Sequence, residues 1–96
     1  MTLELGGNIR LSGFSEIEPA ALIVVKKMVG NYTKKIAERA TGFQDIHVNM
    51  KKVHEHSHEV IAKVTADKIY NAEVTDYNLF FALDKALSKV MREMDL

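Results

Sequence analysis

Alternating apolar and polar residues predict most of the strands in this chain. The alternation is clear over residues 46–50 and returns over residues 60–66, as expected for strands with one buried face. A third strand is predicted over Ile69–Val74. Residues 2–14 place apolar side chains mainly at odd positions, but Gly6-Gly7 interrupts the run. This first segment is therefore either one bulged strand or a short hairpin.

Two helices are predicted where apolar residues recur at intervals of three and four. The first begins at Glu18-Pro19, because proline suits a first helical turn, and ends at Thr41-Gly42. The second is predicted to begin with Thr75-Asp76 as its N-cap. The apolar stripes of the two helices consist of Leu22, Val25, Val29, Tyr32 and Ile36, and of Phe80, Leu83, Leu87, Val90 and Met94.

This order of elements predicts an α+β fold with the sequence β-α-β-β-β-α. The simplest packing is a two-layer sandwich, in which both helices cover one face of an antiparallel-rich sheet. Ninety-six residues provide one hydrophobic core, so we expect residues 1–96 to form a single domain.

Composition narrows the functional classes. The chain has no cysteine, which excludes disulfides, thiolate metal sites and a cysteine nucleophile. No signal peptide is apparent, and the longest apolar run, Ala20–Val25, is too short to span a bilayer, so we expect a cytoplasmic protein without membrane contact. Serines and carboxylates fall in no catalytic motif, and no phosphate loop is present, so we expect neither an enzyme nor a cofactor.

Three histidines form the one metal-like cluster in the sequence. His54, His56 and His58 occupy alternate positions, so an extended chain would place them on one side, and imidazoles are good ligands for zinc, copper or nickel. A solvated, histidine-rich turn is the simpler interpretation, because flexible histidines bind metal weakly. A weak metal-binding hairpin is kept as an alternative function.

The distribution of basic residues suggests an RNA-binding surface. Although the formal net charge is zero, Lys85, Lys89 and Arg92 form a basic stripe opposite the apolar stripe of the second helix. Lys27 and Lys34 lie seven residues apart on the outer side of the first helix. Two helices on one sheet face would present these residues together, which suits phosphate binding, although an ordinary solvated face gives the same pattern.

Three apolar residues fall outside the predicted core stripes. Ile23, Val24 and Phe81 would form an exposed apolar patch, and such patches often mark contacts with a protein partner or a second copy. The first alternative function is therefore a protein-interaction or self-association module that binds no nucleic acid.

The second half of the chain resembles a known family. The similarity lies mainly within residues 46–94, in the segments 58–64 (HEVIAKV), 69–73 (IYNAE) and 77–87 (YNLFFALDKAL). These segments are similar to the core of the ribosome hibernation-promoting factors, which have a dsRBD-like fold. The resemblance implies docking on ribosomal RNA through basic residues of the two helices, which at the matching positions are Lys27, Lys34, Lys35, Lys85, Lys89 and Arg92.

Overall fold

Five strands and two helices make up the fold of the computed structural model, which describes residues 2–5, 8–53 and 56–96. In chain order they are β1 (Thr2–Leu5), β2 (Ile9–Ser12), α1 (Pro19–Arg39), β3 (Asp45–Lys52), β4 (His58–Thr65), β5 (Ile69–Asp76) and α2 (Leu79–Glu93).

The strands form one mixed sheet in the order β1-β2-β3-β4-β5. Strands β1 and β2 are an antiparallel hairpin, which decides between the two interpretations of the first segment, while Gly6-Gly7 lies outside the described residues. Strand β2 pairs with β3 in parallel, with Ile9 opposite Ile46, because the chain crosses over through α1. The remaining two pairings are antiparallel, so the predicted antiparallel-rich sheet is confirmed.

One face of the sheet forms one side of the hydrophobic core. Its central row runs across four strands through Leu11, Val48, Ala62 and Ala72, all of which are buried. Both helices pack on this face, as predicted. Their fully buried residues include Val25, Val29 and Ile36 of α1 and Leu83, Leu87 and Val90 of α2.

A tight turn after β2 directs the chain into α1. Gly13 has φ +84°, and a Cβ atom at this position would lie 1.9 Å from the carbonyl oxygen of Met50. Only glycine accommodates both the left-handed conformation and this close approach. The next residue, Phe14, is buried in the core, so the turn also anchors the segment leading to Pro19.

The start of α2 differs from the prediction. Strand β5 continues through Thr75 to Asp76, and the N-cap is Asn78, whose side chain accepts a 3.1 Å hydrogen bond from the Phe81 amide. The Asp76 carboxylate instead accepts from the Asn78 amide at 3.0 Å. The predicted Thr75-Asp76 cap is wrong because Asp76 orders the turn that precedes the helix rather than the helix itself.

Neither helix is both long enough and apolar enough, within the described ranges, to cross a membrane.

Candidate nucleic-acid interface

Basic residues are concentrated on the two helices, and the excess of acidic residues lies outside them. Helices α1 and α2 carry eight basic and three acidic residues, a formal charge of +5. The remaining sequence carries five basic and ten acidic residues, a formal charge of −5. The chain therefore has basic helices although its net charge is zero. We call the outer faces of α1 and α2 the basic helical layer.

All six basic residues predicted to bind RNA are exposed on this layer. On α1, Lys27 and Lys34 share the outer side because seven residues complete nearly two helical turns. Lys35 lies on the side that faces α2, where its Nζ atom is 5.6 Å from the centroid of the Tyr32 ring. This distance is within the range of a cation–π contact, which holds the Lys35 charge near the groove between the helices.

The basic stripe of α2 includes one lysine that is already paired. Lys85 donates to Asp76 Oδ2 at 2.9 Å, whereas Lys89 and Arg92 appear in no ion pair among the described residues. The hydrogen bond from Lys85 is the largest cause of a lowered Asp76 pKa, and the Asn78 amide adds to it. Lys85 is therefore partly neutralised, and Lys89 and Arg92 provide the more available charges.

A hydrogen-bonded cluster joins the two helices. The Tyr32 hydroxyl donates to Asp84 Oδ1 at 2.6 Å and lies 2.8 Å from Ser88 Oγ, which can donate to it. Burial, followed by the hydrogen bond to Asp84, raises the Tyr32 pKa, so the phenol stays protonated and the donor is retained. The cluster fixes how the basic side of α1 sits beside that of α2. Sequence periodicity placed Tyr32 in the apolar stripe and gave no signal for its polar partners.

The predicted histidine cluster is only partly within the described chain. His54 lies outside it, His56 is exposed at φ 69°, and His58 donates through Nδ1 to the Tyr77 carbonyl at 2.9 Å. Within residues 2–5, 8–53 and 56–96, no group of three His, Cys, Asp or Glu side chains is arranged to hold a metal ion. Metal binding by all three histidines stays a prediction.

Apolar side chains are exposed where the sequence predicted them and at two further positions. Ile23, Val24 and Phe81 are 57%, 42% and 61% exposed. Tyr77 and Ile69 are exposed to a similar extent, although Tyr77 precedes the helix and Ile69 begins a strand, positions for which helical periodicity gives no prediction.

The opposite face of the sheet is polar and has its own contacts. His47 Nε2 lies 2.6 Å from Ser12 Oγ, and Arg10 forms a 3.7 Å ion pair with Asp45. From the strand register, no Phe, Tyr or Trp points from β2 to β5 on this face. It therefore lacks the aromatic platform on which sheet-based RNA-binding domains stack bases, and the helical layer is the better candidate interface.

The fold is shared with two solved structures. One is a ribosomal subunit interface protein from Coxiella burnetii, with a TM-score of 0.60, 16% sequence identity, and coverage of 92% of this chain and 91% of that one. The other is the N-terminal domain of Protein Y from Thermus thermophilus, with a TM-score of 0.65, 15% identity, and 91% coverage of each chain. No protein-family model and no curated protein sequence matches the chain. The predicted resemblance is thus confirmed at the level of the fold.

Proposed function

We propose that this protein binds ribosomal RNA through the exposed basic faces of α1 and α2. The observation that carries the proposal is the concentration of positive charge on the two helices, +5 against −5 for the rest of the sequence. The residues assigned to phosphate contacts are Lys27, Lys34, Lys35, Lys85, Lys89 and Arg92.

The arrangement suits a surface that recognises a backbone rather than a base sequence. Lysine and arginine side chains on an outer helical face neutralise phosphates and release counterions, which supplies affinity without reading base edges. Outside the helices, the strands carry a formal charge of only −1, and the connecting segments and the C-terminal end carry −4, so the attraction for RNA comes from the basic side chains of the helices themselves.

The ribosome is the proposed source of this RNA because of one structural neighbour and of the resemblance in the sequence. One neighbour is called a ribosomal subunit interface protein, and the sequence segments 58–64, 69–73 and 77–87 resemble the hibernation-promoting factors. A ribosomal partner would also account for the expected cytoplasmic location.

Titration against purified ribosomal subunits and against a generic RNA duplex, at about 50 and 200 mM salt, tests the proposal. If all six basic residues contact phosphates, affinity should fall by about a thousandfold over this range. Tighter binding to subunits than to the duplex would support a ribosomal target. Absence of binding to either RNA at 50 mM salt would contradict the proposal.

Two charge-reversed variants assign the binding to one layer. The double variant Lys27→Glu/Lys89→Glu changes one residue on each helix and should reduce the slope of log affinity against log salt by about 2. The matched control, Lys63→Glu/Lys68→Glu, changes the sheet and a turn but gives the same net charge of −4, counted from zero. Equal losses in both variants would indicate a general charge effect and would contradict a helical interface.

A protein-interaction module is the second candidate, favoured by the exposure of Ile23, Val24 and Phe81. Association through these side chains would bury apolar surface and would change little between the two salt concentrations. Sedimentation of the isolated protein at both salt concentrations separates self-association from the RNA-binding proposal.

A further inference from the structure

Exposed apolar side chains extend both basic stripes by one helical turn. On α2, Phe81 lies four residues before Lys85 and therefore on the same outer side of the helix. On α1, Ile23 has the same spacing from Lys27. Each helix thus presents an apolar residue first and basic residues afterwards along one side.

The two apolar positions lie at the same end of the helical layer. Strands β2, β3 and β5 point in one direction, and α1 and α2 each follow one of them. Both helices consequently begin at the same end of the sheet. At the other end, Arg39 and Ala40 at the end of α1 and Met94 and Leu96 after α2 line one shallow cavity.

Phe81 has no packing role that would explain its position. Its side chain is 61% exposed, whereas Phe14 is fully buried and Phe43 and Phe80 pack against the core. The neighbouring Tyr77 is 67% exposed. Two of the seven aromatic residues are thus left open to solvent within five residues of each other, beside the basic stripe of α2.

We propose that Phe81 stacks against an unpaired base of the RNA whose phosphates bind Lys85, Lys89 and Arg92. The inference rests on the proposed function and specifies its ligand as RNA with unpaired bases, rather than an uninterrupted duplex. Bases inside a duplex are already stacked and their faces are hidden, whereas loops, bulges and ends present a free face to an aromatic ring.

Electrostatics favours RNA over a protein partner for this ring. Phe81 is followed by Lys85, Lys89 and Arg92 on a helix whose neighbour, α1, carries five basic residues and one acidic residue. An apolar protein surface would gain nothing from these charges, whereas alternating phosphates and bases match a basic stripe that ends in an aromatic ring.

Two RNA hairpins provide the test: one with a flexible unpaired loop and one with an equal number of phosphates but a closed, minimal loop. Phe81→Leu and Phe81→Ala should weaken binding to the looped RNA by about 5- to 150-fold, the range for loss of one base–aromatic stack. Binding to the closed hairpin and the salt dependence should stay unchanged. Ile69→Ala is the matched control, because Ile69 is 60% exposed but begins a sheet strand.

A fluorescent variant detects the contact directly. The chain has no tryptophan, so Phe81→Trp introduces a single indole at the proposed stacking position. Looped RNA should quench its emission, and the closed hairpin should not.

Other outcomes would overturn the inference in distinguishable ways. If Lys27→Glu/Lys89→Glu loses RNA affinity while Phe81→Leu binds the looped RNA normally and the indole is not quenched, stacking is wrong and the proposed function stands. If wild-type protein binds neither hairpin nor ribosomal subunits, both are wrong. If indole emission shifts with RNA-free ribosomal proteins but not with RNA, the ring belongs to a protein contact and the inference fails.

Discussion

The Tyr32 hydroxyl donates a 2.6 Å hydrogen bond to Asp84 and thereby ties the middle of α1 to α2. The two residues are 52 positions apart in the chain, so this contact is purely tertiary.

Tyr32→Phe should lower the free energy of unfolding by about 1 kcal/mol, the typical net contribution of a hydrogen bond. A double-mutant cycle with Asp84→Ala, measured by chemical denaturation, should give a coupling energy of about 0.5–1 kcal/mol.

The control for this cycle is Tyr70→Phe. Tyr70 also donates to a carboxylate, that of Asp67, but at 3.3 Å and between a strand residue and a turn residue only three positions apart. We expect no measurable change in stability. Additive effects of Tyr32→Phe and Asp84→Ala would show that the Tyr32–Asp84 hydrogen bond does not contribute to holding the two helices together.

A second prediction concerns Gly13 and Gly30, because alanine should destabilise the fold at the first position and stabilise it at the second. Gly13→Ala should destabilise the fold by at least about 2 kcal/mol, since the left-handed backbone is strained for alanine and its Cβ would overlap the Met50 carbonyl. Gly30 lies within α1, and a Cβ there would meet no atom within 4 Å apart from those of its own helical backbone and chain neighbours. Gly30→Ala should therefore stabilise the protein by about 0.5–1 kcal/mol.

Thermal denaturation of the two alanine variants checks this pair. The melting temperature should fall for Gly13→Ala and rise for Gly30→Ala. A Gly13→Ala variant as stable as wild type would mean that the turn after β2 has another accessible conformation.

The third prediction concerns the acid titration of Asp76. Its pKa is lowered first by the hydrogen bond from Lys85 and then by that from the Asn78 amide, relative to an ordinary value of 3.8. Because the folded-state pKa is the lower one, this group stabilises the fold above about pH 3.8, and its contribution is lost as the pH falls through the folded-state value.

Lys85→Met should raise the Asp76 titration midpoint, measured by carboxyl NMR, part of the way to its ordinary value, because the Asn78 bond remains. Lys89→Met, one turn further along α2, should leave it unchanged. An unchanged midpoint in Lys85→Met would show that the ion pair is not populated in solution.

Much of the fold follows from the sequence because its signals are periodic. Burial of alternate residues in β3 and β4, and of every third or fourth residue in the helices, depends only on which side of an element faces the core. The exposure of Ile23 and Phe81 follows by the same reasoning, since both fall off the apolar stripes.

Other features depend on contacts that periodicity does not encode. Asp76 and Asn78 are both good capping residues, and which one caps α2 is decided by how far β5 stays paired with β4. The pairing of Lys85 with Asp76 arises only once this turn has formed. The Tyr32–Asp84 contact likewise requires the two helices to be packed side by side.

The parallel ladder between β2 and β3 also bears on how the chain folds. It joins Ile9 to Ile46, 37 positions apart, while β3, β4 and β5 pair through short connections. Bringing β2 and β3 together closes a longer loop than the antiparallel pairings do, so it loses more chain entropy before the new contacts stabilise the pair. We expect the three C-terminal strands to form first and the N-terminal hairpin to join last. During synthesis on a ribosome, the hairpin and α1 emerge before β3. The first half of the nascent chain therefore cannot complete its pairing until β3 has been synthesised.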